Sequence, residues 1–158
     1  MGLDPTARES NLRDSLKKYF VDNIYKTHGI ALRMFDKNLG TPATQNKSID
    51  QWVSISMGSK TRDIVSSLVL DIYCNTRKDA EGFKLSQLTD TVYQYLVDTT
   101  QTDRLRRIPF YQSKPKGTDW VLLGALIVTD IIESDDIEGA DKTKFKILTV
   151  SLRWPANV

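Results

Sequence analysis

The chain has 158 residues, 40% of them hydrophobic and 27% charged, with 22 basic and 20 acidic side chains for a net charge of +2. That length suits one domain that needs no disulfide or metal staple, and no apolar run approaches the ~20 residues that span a bilayer. One cysteine excludes an internal disulfide, one histidine and one cysteine exclude zinc sites built from those residues alone, and so balanced a charge does not by itself mark a nucleic-acid binder.

The N-terminus, residues 1–15, lacks the apolar core of a signal peptide, which points away from secretion by that route. Residues 1–8 read as a flexible lead-in, with Asp4 and Pro5 as a helix start. Leu12, Leu16, Tyr19, Phe20 and Ile24 then recur at three- and four-residue spacing, one apolar helical stripe, and Gly29 is the expected stop. Residues 30–35 read as a short strand, and 36–48 as a turn-rich connection. In 49–57, Ile49, Val53, Ile55 and Met57 share one strand face, with Trp52, Ser54 and Ser56 on the other. Gly58-Ser59-Lys60 reads as a turn.

Residues 64–74 form the next predicted strand, Leu68, Leu70, Ile72 and Cys74 facing one way and Val69, Asp71 and Tyr73 the other. A helix over 84–97 buries Leu85, Leu88, Val92 and Leu96, with Ser86 as its cap. Three strands follow: 105–111, placed at an edge by Pro109; 120–132, almost wholly apolar; and 144–154. The expected fold is α+β, a single domain over 1–158. It has a mostly antiparallel sheet of about five or six strands with two helices packed on one side.

Two helices cover one face of such a sheet. Residues 120–132 are apolar on both faces, and Trp52, Tyr73 and Phe145 lie opposite their strands' main apolar sides. The second face is therefore expected to meet another subunit, the competing reading being a twisted sheet folded partly over itself. Trp52, Trp120 and Leu126 are the apolar interface candidates.

Little in the residues supports catalysis. Cys74 falls on an apolar strand face, where a small buried thiol is the default, so a dyad with His28 is disfavoured. No phosphate-binding glycine loop or nucleophile elbow is present. The acids among residues 130–141 (Asp130, Glu133, Asp135, Asp136, Glu138 and Asp141) do not have calcium-loop spacing, and 133–141 reads as a protruding solvated loop. Charge is uneven: residues 119–158 carry 4 basic and 7 acidic side chains, against 18 and 13 in residues 1–118. The bases Arg104, Arg106 and Arg107, with Lys114 and Lys116, could touch phosphates, pair with a neighbour's acidic loop, or simply be solvated. No enzyme activity, metal or cofactor is expected.

The assembled pattern resembles the tail-terminator, or tail-completion, proteins of long-tailed bacteriophages. The likeness rests on the 12–24 helix, the strand Ala31-Leu32-Arg33-Met34-Phe35 and the following Asp36-Lys37-Asn38-Leu39-Gly40-Thr41-Pro42. It continues through Gln51-Trp52-Val53-Ser54-Ile55, the strand Leu68-Val69-Leu70-Asp71-Ile72-Tyr73, the 85–96 helix reached through Gly82, and the closing Ile147-Leu148-Thr149-Val150-Ser151-Leu152-Arg153-Trp154. The similarity lies in order and pattern over nearly the whole chain, and the acid-rich segment around 133–141 departs from it. It implies a hexameric ring that stops polymerisation of the tail tube and offers its other surface to head-completion or neck proteins. DNA would pass through the lumen without sequence-specific binding. It also implies a place in the virion tail or neck, with assembly in the host cytoplasm and no membrane or catalytic role. The alternatives are another head–tail connector or a small nucleic-acid-binding module.

Overall fold

The computed structural model describes residues 8–35, 50–62, 64–98, 100, 107–112, 121–139 and 142–155. The first helical arm comprises α1 (Arg8–Phe20), a π-helical turn (Val21–Tyr25) and the short α2 (Lys26–His28). Its stripe is the predicted one: Leu12, Leu16, Phe20 and Ile24 are all fully buried. Gly29 ends the arm at φ +68°, a left-handed conformation that costs a residue with a Cβ. The second helix, α3 (Phe83–Tyr93), buries Leu85, Leu88 and Val92.

The strands are β1 (Ala31–Met34), β2 (Gln51–Thr61), β3 (Val65–Thr76), β4 (Arg107–Gln112), β5 (Val121–Glu133), β6 (Ile137–Glu138) and β7 (Lys144–Pro155). They form one curled sheet in the order β1-β2-β3-β7-β5-β4, with β6 pairing β7. The α+β class is as expected. The sheet is mixed rather than uniformly antiparallel, because β1 runs parallel to β2, pairing Ala31 with Trp52 and Met34 with Ile55. Pro109 does sit in an edge strand, β4, where its missing N–H breaks no central ladder.

One continuous core joins both helices to the same sheet face. From the strands it takes Val53, Ile55, Leu70, Ile72, Leu126 and Val150, among others, each fully buried. The alternation in β3 and β7 places these side chains by period two.

Gly58-Ser59-Lys60 is not a turn. The β2 ladder runs on to Thr61 through a register shift between Met57 and Lys60. The irregularity brings Gly58 against β3, where an added Cβ would lie 3.0 Å from the Val69 carbonyl oxygen. A glycine there marks a bulge with close backbone approach, not a chain reversal.

Ser86 does not cap α3. It is already inside the helix, donating its N–H to the Gly82 carbonyl at 3.0 Å. The cap is Asp79: one carboxylate oxygen accepts from Leu85 N–H at 2.9 Å and the other from Lys84 N–H at 3.2 Å, while Thr76 Oγ1 donates at 3.2 Å. Burial alone would raise the Asp79 pKa, but the hydrogen bonds from Leu85, Lys84 and Thr76 outweigh it and hold the carboxyl below its ordinary value.

Candidate interaction surface

The sheet face away from the helices is the candidate site. Strand pairing lays its residues out in rows. Arg107, Ile127 and Arg153 stand side by side on β4, β5 and β7, followed by Ser67 on β3. Farther along come Asp130, Ser151 and Val69, then Ile132, Thr149 and Asp71. The β5 register shifts between Val128 and Asp130, and the extra residue, Thr129, donates its hydroxyl to the Ser151 carbonyl at 3.2 Å. At this bulge lies a groove of about 410 Å³, whose lining includes Ser67, Val69, Thr129, Asp130, Ser151 and Arg153.

Strand β5 carries the apolar part of this face. Leu126 and Val128 point into the core and are fully buried. The near-continuous apolar run of 120–132 is thus covered on one side only. Leu123 is 39% exposed, Ile127 41% and Ile132 60%, three large aliphatic side chains open to water along β5. Val121 and Leu122 are exposed as well.

Trp52 is not part of the open surface. It lies on the predicted strand face but is only 1% exposed, with the Arg77 guanidinium 5.1 Å from its ring centroid. Its carbonyl accepts from Asn75 Nδ2 at 3.4 Å. Trp52 Nε1 and Ser54 Oγ are buried without a hydrogen-bond partner among the described residues. Tyr73 and Phe145 pack on each other on the same face, ring centroids 6.4 Å apart, and are half-buried. Burial, then the negative charge of Asp71, pushes the Tyr73 pKa up.

The acidic segment is built into the sheet end. Beyond Glu133 the chain crimps, and Ile137–Glu138 resumes pairing with β7, opposite Phe145 and Lys144. Ser134 fixes the crimp. Its N–H donates to the Ile147 carbonyl and its Oγ accepts from Ile147 N–H, both at 2.9 Å. Gly139 N–H closes the turn on the Thr143 carbonyl at 2.7 Å. Lys146 gathers two of the acids, Glu133 at 2.9 Å and Asp136 at 3.3 Å. The hydrogen bond to Glu133 is the main reason its ammonium pKa is raised; burial opposes it and Asp136 adds to it. Asp135 and Glu138 are exposed and make no ion pair among the described residues.

Of the basic cluster, Arg107 is exposed at the start of β4. Arg104, Arg106, Lys114, Lys116, Trp120 and Asp141 lie outside the described residues, as do residues 1–7 and the 36–48 connection. Sequence reasoning missed Arg153 as Arg107's companion, because only strand pairing brings residues so far apart in the chain into one row.

His28 and Cys74 form no dyad. His28 is exposed at the end of α2, with Nε2 2.7 Å from Tyr95 Oη. Cys74 is fully buried, and burial pushes its thiol up to about 12. Among the described residues, no group of three or more His, Cys, Asp or Glu is placed to hold a metal, and no helix is long and apolar enough to cross a membrane.

Comparison with known proteins adds the fold alone. No family model matches the chain, and no curated protein matches it. One solved structure, 11% identical in sequence, superposes with a TM-score of 0.51 over 89% of this chain and 93% of its own. At that identity the likeness is one of architecture, an α+β domain of similar extent.

Proposed function

We propose that the chain is a structural protein of a long-tailed bacteriophage. It would form a ring that caps the tail tube, stops tube polymerisation and presents a docking surface to the neck. The observation that carries this reading is that Leu123, Ile127 and Ile132 along β5 are open to water on a sheet whose opposite face packs in one core with its own helices. Identical copies meeting through unlike patches would cover these side chains, and such heterologous contacts close into rings when the rotation permits. The order of elements agrees with the resemblance to tail-terminator proteins, from the first helical arm through the β2–β3 hairpin to the long last strand. In this reading the partners are further copies of the chain, most simply six, the tail tube protein and a neck protein. DNA passes through the lumen unread, the site of action is the virion tail, and no reaction is catalysed.

The test is the mass of the protein in solution, alone and with purified tail tubes, combined with electron micrographs of the tube ends. A discrete species of six 18.0 kDa chains, free or on tubes, is the expected result. A monomer that never associates with tubes overturns the proposal.

A further inference from the structure

Arg107, Ile127 and Arg153 stand side by side across β4, β5 and β7, and Ser67 on β3 extends the row. Their sequence neighbours Ile108, Leu126 and Leu152 are buried in the core, so by period two the row itself faces away from the helices. Both arginines are exposed, and neither makes an ion pair or hydrogen bond among the described residues. Asp130, the next acid on this ladder, stands one row farther along, opposite Ser151, and pairs with neither. The sequence adds charge of the same sign: between Asp103 and Asp119 there are five bases and no acid, and β4 lies inside that span. The fold thus leaves two guanidinium groups without a counter-charge, their backbones about 10 Å apart across one intervening strand, on an open face.

We infer that the Arg107–Ile127–Arg153 row contacts the phosphodiester backbone of duplex DNA. This inference rests on the ring reading, which brings a duplex past each copy, and it names the surface the duplex touches. Two arguments favour DNA over an acidic protein. A duplex carries one negative charge per about 1.7 Å of its axis, so it meets both arginines in any rotational setting. An acidic protein must hold two carboxylates about 10 Å apart to engage the same pair. The centre of a protein interface is also depleted of charge, whereas two of these three side chains are cations. The planar guanidinium fork matches two phosphate oxygens, and such contacts carry no base information, so the duplex is held without being read.

The experiment compares the unmodified chain with two paired variants, Arg107→Gln with Arg153→Gln and Arg107→Lys with Arg153→Lys. A control, Lys84→Gln with Lys142→Gln, removes the same charge at exposed positions elsewhere. Affinity for a fluorescent duplex of arbitrary sequence is read by anisotropy from about 50 to about 200 mM salt. Light scattering, with and without tail tubes, follows assembly, and thermal unfolding confirms that each variant folds. The glutamine pair is expected to bind at least about tenfold more weakly at the low-salt end and to flatten the slope of log K against log salt by about 2. The lysine pair keeps both charges and is expected to keep the slope, while the control changes affinity less than about threefold. If the unmodified chain does not bind the duplex, or the glutamine pair binds no more weakly than the control, this contact is overturned while the ring reading stands. If the glutamine pair loses only its association with tubes, the row is a protein surface and the contact is overturned. If the unmodified chain stays monomeric even with tubes, the ring reading falls and this inference with it.

Discussion

Ser15 satisfies both backbone groups of Tyr111. Its Oγ accepts from Tyr111 N–H at 2.7 Å and donates to the Tyr111 carbonyl at 3.2 Å. Tyr111 sits where the β4–β5 register shifts, on the outer strand of the sheet. A hydroxyl on α1 thus stands in for the next strand and ties the helical arm to the sheet edge. Ser15→Ala removes both bonds. The expected loss is about 2 kcal/mol of unfolding free energy, read from urea denaturation. An unchanged midpoint would show that water replaces the hydroxyl without penalty.

Asp79 makes α3 sensitive to acid. Its folded pKa lies below the unfolded value of about 3.9. Its stabilisation is therefore present above that value and is lost as pH falls through the lower folded pKa. Asp79→Ala should cost about 1 kcal/mol at neutral pH. The variant should also lose less stability than the unmodified chain between about pH 5 and pH 2. Parallel acid titrations of stability for the two proteins would refute this.

Lys146 contributes with the opposite sign. Its folded pKa is raised, so its ion pairs with Glu133 and Asp136 stabilise fully below the unfolded value of about 10.4 and fade as pH rises through the folded one. Lys146→Met is expected to flatten the alkaline limb of the stability profile. An identical limb in the variant would show that other groups produce it.

Cys74 should be chemically silent in the folded chain. Burial pushes its thiol up to about 12, so almost no thiolate exists at neutral pH, and no solvent reaches it. A disulfide reagent is expected to label it only as fast as the protein opens, and at once in denaturant. Rapid labelling under native conditions would contradict its placement in the core.

Leu126 and Ser54 test burial in opposite directions. Leu126→Asp places an unpaired carboxylate in the fully buried core and should prevent folding. Leu126→Ala should fold with a loss of about 2–5 kcal/mol. Ser54 Oγ is buried without a partner among the described residues, so Ser54→Ala should be neutral or stabilise by up to about 1 kcal/mol. Chemical denaturation of the three variants separates these outcomes.

The elements legible in the sequence are those whose signal is local. Leu12, Leu16, Phe20 and Ile24 reveal their helix by spacing, and Leu68, Leu70 and Ile72 their strand by alternation. Pro109 marks an edge because its missing donor matters wherever it sits. What stayed hidden depends on partners distant in the chain. Nothing around Ala31–Met34 announces parallel pairing with β2. Gly58 has the composition of a turn, but its role is set by the Val69 carbonyl facing it. Trp52 alternates with Val53 as an outward residue should, yet Arg77 lies over its ring. The two-residue β6 is too short for any period to register. The candidate surface was legible as apolar excess in 120–132 and as separated charge. The Arg107–Arg153 alignment was not, since it follows from register alone.

The central position of β7 governs how the polypeptide can be made. β7 lies between β3 and β5, so pairs such as Ile72 with Leu148 join residues half a chain apart. A ribosome-bound intermediate ending before residue 144 has both helices but no middle to its sheet. Its β3 edge stands bare until the closing strand emerges. Folding therefore depends on long-range pairing, which is expected to slow it for a domain of this size. During synthesis the bare edge is a point where growing chains can stick to one another.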